Sequence, residues 1–389
     1  MERGGLAMIG PAPTWLVVCG AGIAAAAALY LITALLAMLR KAQPWPFTPP
    51  EWPAVTVLKP LCGVEAETYS CLRSFCSQAY PQFQIVFGVR EEGDPAIEVV
   101  RRLQREFPEN DLDLVVDRRL HGGNRKVGNL INMMAAARYD HLVIADSDIR
   151  VAPGYLAKVV APLLDPGVGV VTCAYRGDPR PGLWSLLGAQ FVNEWFLPSV
   201  RVAAWLGSRQ FAFGATIAMR RSVLAGIGGF AAIADHLADD YQLGEMTRRN
   251  GLRTVLSEVE VETVVDEENF TALARHELRW LRTIRAVRPA GYALSAVTFG
   301  LPVAGLGALV AAGAAPALAM LGIAASARLM LHWRVRKAGA PLWHWLALPL
   351  GDLLGFALWC WGFATRSVRW RQDRYLLTGN GSVRRYEDI

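Results

Sequence analysis

The sequence predicts an α/β domain with a mostly parallel sheet, carried between hydrophobic segments that enter a membrane. Three observations predict it. Residues 4–39 and 289–327 contain no charged side chain. Between residue 53 and residue 288, strand-like runs alternate with helix-like runs. The apolar run at 142–145 then ends in two aspartates one residue apart, Asp146 and Asp148.

The first apolar segment comes earliest in the chain. A hydrocarbon core takes about 20 apolar residues in helix, so residues 4–39 span once. Their core, 15–39, is longer than the ~7–15 residues of a signal peptide, and the basic Arg40 and Lys41 follow it, so a retained anchor is expected. Residues 289–327 are long enough for two short spans with a turn near 313–316, and residues 342–364 carry only His344 and Asp352. Arg40 and Lys41 put the middle of the chain in the cytoplasm, and Arg328, Arg334, Arg336 and Lys337 agree if 289–327 forms a hairpin. A last span would then send the tail outside. The tail carries Arg366, Arg369, Arg371, Arg374, Arg384 and Arg385, against that rule. Either the last segment re-enters the same face or the tail is an exception. The expected organisation is an anchor at 1–42, a cytoplasmic domain at 53–288, membrane segments at 289–366 and a basic tail at 367–389.

The composition narrows the classes. The chain has 389 residues, 53% hydrophobic, with a formal charge of +6. Its basic residues cluster beside the apolar segments, which speaks against nucleic-acid binding. Its six cysteines form no zinc spacing and fit free thiols in a reducing compartment.

Within 53–288 the strands are expected at 55–58, 84–89, 112–116 and 141–145, and the helices at 68–78, 94–106 and 127–138. Helix 94–106 has Ile97, Val100 and Leu103 on one face. Such alternation implies right-handed βαβ units. Ligands in these sheets bind beyond the carboxyl ends of the strands, where this chain delivers Lys59, the 90–94 loop with Asp94, and Asp146-Ser-Asp148. Two adjacent carboxylates repel unless a cation intervenes. Mg²⁺ or Mn²⁺ suits them, and loop acids with Asp148 as a turn or cap residue are the plainer alternative. Residues 122–129, Gly-Gly-Asn-Arg-Lys-Val-Gly-Asn, put Lys126 and Asn129 on one face of a helix start that favours anions, or form an ordinary helix start. Asp239 and Asp240 open another helix, where one caps and the other is free to act as a base. Residues 275–280, Arg-His-Glu-Leu-Arg-Trp, continue into Arg282, Arg285 and Arg288. They form a basic helix for an anionic ligand or for anionic lipid. The Trp-, Phe- and Leu-rich stretch 183–206 suits either the bilayer surface or the core.

The order of these pieces resembles the ceramide glucosyltransferase family, glycosyltransferase family 21. They are V-T-V-L-K-P-L-C-G-V-E at 55–65, D-P-A-I at 94–97, K-x-x-N-L at 126–130, D-S-D at 146–148, A-D-D-Y at 238–241 and R-H-E-L-R-W at 275–280. The resemblance implies an inverting enzyme of GT-A fold that moves a hexose from a UDP-sugar to the hydroxyl of a membrane lipid. Asp94 looks like the family aspartate near base and ribose. Asp146 and Asp148 look like the Mg²⁺ or Mn²⁺ site under the diphosphate, and Asp240 like the proposed base. Arg279 and Trp280 match the end of the Q/R-x-x-R-W motif. Lys59, Lys126 and Asn129 join Asp94 and Asp146 as candidate donor-binding residues. The chain departs from the family pattern at His276, where Gln or Arg is usual, and at Asp239, where Glu is usual. The wording around 121–132, 213–221 and 275–285 is most similar to the bacterial hopanoid-associated branch, which implies an N-acetylglucosamine donor and a hopanoid polyol acceptor in place of glucose and ceramide. The expected location is the bacterial inner membrane. A processive polysaccharide synthase, a polyprenyl-phosphate sugar synthase, an inactive scaffold and a small transporter are the alternatives.

Overall fold

The computed structural model describes residues 13–337, 339–370, 373–378 and 381–385; residues 4–12 of the first apolar segment and Arg371 lie outside them. The chain forms two compact units. One comprises the residues up to Arg40 with Ala293–Ala357, and the other comprises Lys41–Tyr292 with the residues from Leu358 on.

The second unit holds an eight-stranded sheet of β1 (Val55–Pro60), β2 (Phe83–Val89), β3 (Asp111–Val116), β4 (His141–Ile144), β5 (Ile149–Arg150), β6 (Val168–Pro179), β7 (Ile217–Arg220) and β8 (Arg253–Val265). Their order is β3-β2-β1-β4-β7-β6-β8-β5. The first four are parallel, β6 and β8 are parallel to each other, and β7 and β5 run antiparallel to their neighbours. In chain order the helices are α1 (Thr14–Leu39), α2 (Thr68–Cys76), α3 (Ala96–Glu106), α4 (Arg125–Met133), α5 (Tyr155–Val160), α6 (Leu183–Gln190), α7 (Leu197–Trp205), α8 (Arg221–Gly226), α9 (Asp239–Arg249), α10 (Phe270–Val287), α11 (Pro289–Leu294), α12 (Gly300–Val310), α13 (Ala315–Val335) and α14 (Trp343–Trp361).

Local chemistry sets where the helices start. Asn124 accepts hydrogen bonds from the N–H groups of Lys126 and Val127 at 3.0 and 3.1 Å, so α4 begins two residues earlier than the apolar pattern suggests. Asp94 stays ahead of α3 and accepts from Ala96 N at 2.9 Å. The stretch 183–206 is mostly core. A turn of π-helix, Phe191–Phe196, joins α6 to α7 there, locked by Asn193, whose amide both accepts from and donates to the Gly177 backbone.

The residues expected as a basic tail fold as a three-stranded sheet, β9 (Ser367–Trp370), β10 (Asp373–Leu377) and β11 (Val383–Arg385). Val368, Tyr375 and Leu377 bury against Leu237 and Ala286. The basic face of α10 docks this sheet: Arg282 and Arg285 donate to the carbonyls of Ser367 and Thr365. That use accounts for two of the arginines that otherwise suit anionic lipid.

In the first unit, α1 and α13 are long and apolar enough to cross a membrane. The pair Pro289–Thr298 and Gly300–Val310 is bent by 78° and counts as at most one further span. The turn between α12 and α13 carries positive φ at Ala312 and Gly313. Arg328 of α13 pairs with Asp352 of α14 through two nitrogens at 2.8–3.0 Å. Gly307 packs against α1: a Cβ there would lie 2.5 Å from Gly20 O. Small residues let helices approach this closely in lipid. Gly307→Ile is expected to cost about 1–3 kcal/mol by overpacking, measured as a lower unfolding temperature of the detergent-solubilised protein.

Candidate active site

The carboxyl ends of β1 and β4, the start of α4 and the start of α9 bring charged side chains to one place. β4 runs out at Ile144, and Asp146 follows with its side chain 36% exposed. Below it, fully buried Lys59 donates from Nζ to the Asp146 carbonyl and lies 3.9 Å from the centre of the Phe75 ring. Burial lowers the Lys59 ammonium to about 8, against the nearby Cys71 and aspartate charges. Lys59 is thus a strut under the Asp146 loop. On the far side of that loop, Asp148 accepts from the Thr263 hydroxyl at 2.7 Å, and its carbonyl accepts from Val264 N. Burial, and then the charge of Asp146, raises the Asp148 carboxyl.

Lys126 sits at the centre. Its Nζ lies 2.6 Å from Asp146 Oδ1 and 3.4 Å from Asp239 Oδ2. Burial works against its charge, but the carboxylates of Asp146, Asp239 and Asp240 outweigh it and hold the lysine cationic. Asp239 is buried at the first position of α9 and makes no side-chain cap; it faces Lys126 and, at 3.5 Å, the Asn124 amide. Asp240 is held differently. Its oxygens accept from Gly214 N at 2.8 Å and Tyr241 N at 2.7 Å. Burial first, and then the charge of Asp239, raises it to about 6. Gly214 lies in the middle of this cluster: a Cβ there would sit at ordinary contact distance, 3.4–3.5 Å, from Asp146 Oδ2, Asp240 Oδ2 and Lys126 Nζ together.

Arg279 is half-buried on α10, and desolvation lowers its guanidinium against the opposing charges of Asp146, Glu277 and Asp148. Trp280 beside it meets the edges of Tyr175 and His276 at 5.9 and 5.0 Å between ring centres.

Three expected site residues are engaged elsewhere. Asp94 binds the N–H of Gly63 with both oxygens at 3.0 Å and so ties the loop after β1 to the start of α3. Asn129 is buried and donates to the carbonyls of Gly88 and Leu61, joining the ends of β2 and β1. His276 bonds Glu267 through Nδ1 at 2.6 Å and braces Trp280. The sequence also gave no reason to single out Tyr175, one aromatic in an apolar strand, or Gly214. Glu277 lies inside the Arg-His-Glu-Leu-Arg-Trp stretch with no role of its own expected.

The sequence matches glycosyl transferase family 21 over residues 17–383. The chain belongs to this family. Among curated relatives in the family, it is similar to Ceramide glucosyltransferase 1 of Caenorhabditis elegans, 28% identical over 210 residues, which make up 54% of this chain and 45% of that protein. It is also similar to the ceramide glucosyltransferase of Komagataella phaffii, 36% identical over 116 residues, 29% of this chain and 23% of that one. The chain thus spans less than half the length of either relative. Among solved structures, the mannosyltransferase PcManGT from Pyrobaculum calidifontis, in complex with GDP-Man and Mn²⁺, superposes with a TM-score of 0.54 at 23% identity, covering 88% of this chain and 98% of that one. This likeness extends to the fold, an α/β glycosyltransferase sheet of the GT-A kind.

Removing the central cation tests the geometry. Lys126→Met leaves Asp146, Asp239 and Asp240 without it. The loss is expected near about 3 kcal/mol, the low end for a broken buried pair, because Lys126 keeps 16% of its side-chain surface exposed. Chemical denaturation at neutral pH measures it, and Lys126→Arg should recover part.

Proposed function

We propose that the chain is an inverting glycosyltransferase that moves a hexose, glucose or N-acetylglucosamine, from a UDP-sugar to a hydroxyl of a membrane lipid of the ceramide or hopanoid-polyol kind. Membership of family 21 and the apolar first unit support this reading. The observation that carries it is the setting of Asp240. Its carboxyl is raised to about 6, fixed by two backbone N–H groups, and stands beside a lysine and a second aspartate. A base poised near neutral pH is the most effective at taking a proton from a lipid hydroxyl, which is a poor nucleophile.

The other residues have distinct parts. Asp146 and Asp148 fit a divalent ion such as Mg²⁺ or Mn²⁺: both offer hard oxygens, and the charge of Asp146 drives the Asp148 carboxyl upward, a repulsion that a dication relieves. Such an ion, when bound, neutralises charge on the departing diphosphate. Arg279 and Lys126 add fixed positive charge on the same side of the reaction. Lys59 and Thr263 keep the two aspartates from shifting. Asp94 holds the loop after β1, where the nucleotide's base and ribose would lie. Trp280, braced by His276, closes the acceptor side.

Connectivity supports one membrane topology. A catalytic unit on one face of a bilayer requires an even number of crossings between Tyr292, where the chain leaves it, and Leu358, where the chain rejoins it. α13 supplies one, and the bent pair Pro289–Thr298 with Gly300–Val310, taken as one span, supplies the other. The segment α14 then stays on the face of the catalytic unit. With Arg40 and Lys41 on the cytoplasmic side of a bacterial inner membrane, the arginines after residue 365 also lie in the cytoplasm, and the conflict with the charge rule disappears.

Transfer by the purified chain, with UDP-sugars, lipid acceptor and metal, tests the chemistry. Asp240→Asn should lower turnover by ~10²–10⁴-fold; near-normal turnover would remove Asp240 as the base. The base works as a carboxylate, so the rate should fall as pH drops through about 6, and a chelator should abolish transfer until Mg²⁺ or Mn²⁺ is restored. For the topology, a reporter fused after Ile389 should be active in the cytoplasm and silent outside it; the reverse would make α14 a span.

A further inference from the structure

Beside Asp240 and Arg279 stand two neutral hydrogen-bonding groups that the mechanism above does not use. Tyr175 lies on β6, and its ring stacks on Phe196 at 4.4 Å and meets Phe213 and Trp280 edge-on at 6.4 and 5.9 Å. Phe196 also touches Phe213 and Trp280, at 5.1 and 6.3 Å, so the four rings make one aromatic wall. Phe196 is supplied by the π-turn between α6 and α7, a backbone irregularity often found at functional sites. Burial, and then the carboxylates of Asp240, Glu277, Asp148 and Asp146, push the Tyr175 phenol well above its usual range, so it keeps its proton. Among the described residues it makes no hydrogen bond.

Glu277 is the second group. It is 2% exposed on α10, and its Oε2 has no hydrogen-bond partner among the described residues. Burial, and then the charge of Glu267, push its carboxyl well up against the opposing Arg279, which favours the protonated form. A buried polar atom without a partner is costly, and a ligand hydroxyl would offset that cost.

We infer that Tyr175 and Glu277 form a subsite for a second hydroxyl of the acceptor, next to the one that reacts. The phenol donates to that hydroxyl, the carboxylic acid exchanges a hydrogen bond with it, and the aromatic wall covers the adjoining hydrocarbon. The ligand is therefore a neutral lipid headgroup with at least two neighbouring hydroxyls. A phosphate-headed lipid is disfavoured, because it would face the carboxylates around Tyr175 without a cation from this pair. A mono-alcohol leaves both groups unpaired, and sites built around a substrate hydroxyl reject analogues that lack it.

The inference rests on the proposed function only in calling the ligand an acceptor, and binding tests it apart from turnover. Equilibrium binding of labelled 1-dodecylglycerol and dodecan-1-ol to the full chain in nanodiscs gives the ratio of two affinities for one hydrocarbon tail. The wild type should favour the diol by about tenfold or more. Tyr175→Phe and Glu277→Leu should bring the ratio close to one with dodecanol binding intact. Glu277→Gln, a neutral isostere, should keep most of it. The subsite is overturned if the ratio survives both Tyr175→Phe and Glu277→Leu, if the wild type shows no preference, or if Glu277→Leu loses both ligands together, as a purely structural role would have it. If the wild type transfers no sugar, the proposed reaction fails while the affinity ratio still decides the subsite.

Discussion

A lysine ammonium enclosed by aspartates sets the form of this site. Asp146 follows β4, while Asp239 and Asp240 open α9 more than ninety residues later, and without a shared cation their charges would drive the two segments apart. Lys126 pairs with Asp146 and Asp239 only because α4 starts where it does. Asn124 fixes that start by capping it, and the same side chain donates to the carbonyl of His236 at 2.8 Å. Gly122 and Gly123 complete the tie. Gly122 adopts φ 72° with the Ala234 carbonyl so near that a Cβ would lie 2.7 Å from it, and Gly123 N donates to Asp235. The glycines that suit an anion-binding turn in the sequence hold the approach to α9 in the structure.

Neighbouring aspartates acquire different chemistry from their surroundings. Asp239 faces the lysine, so its charge is balanced by Lys126. Asp240, one residue on, faces two backbone N–H groups, which fix its direction with partial charges only. The same division appears at Asp146 and Asp148. One pairs with Lys126 near solvent; the other is held by a neutral hydroxyl. A pair of like residues whose environments differ in this way suits a division of roles between holding charge and moving a proton.

The sequence carried the parallel half of the sheet well, because β1, β2 and β4 are short apolar runs with charged residues where each ends. It carried Asp146, Asp240 and Arg279 as neighbours only through the order of motifs, since nothing in local spacing links residues so far apart. Asn129 and Asp94 have a structural part that the sequence does not show. Their polarity marked them for ligand, yet each satisfies backbone groups at strand ends, a demand that pattern alone does not reveal. The basic tail hides a second pattern: Val368, Tyr375 and Leu377 are spaced among its arginines and bury one face of a small sheet.

That small sheet gives the end of the chain a structural share in the site. Leu237 N donates to Gly381 O, His236 pairs with Ser382, and Leu237 is buried among Val368, Tyr375 and Leu377. Residues 236 and 237 lead directly into Asp239 and Asp240. The opposite side of the same sheet is gripped by Arg282 and Arg285 of α10, the helix that carries Glu277, Arg279 and Trp280. The strands after α14 therefore brace the aspartate pair and the arginine-bearing helix against each other. Folding of the site therefore depends on the chain returning to this unit after its last apolar helix.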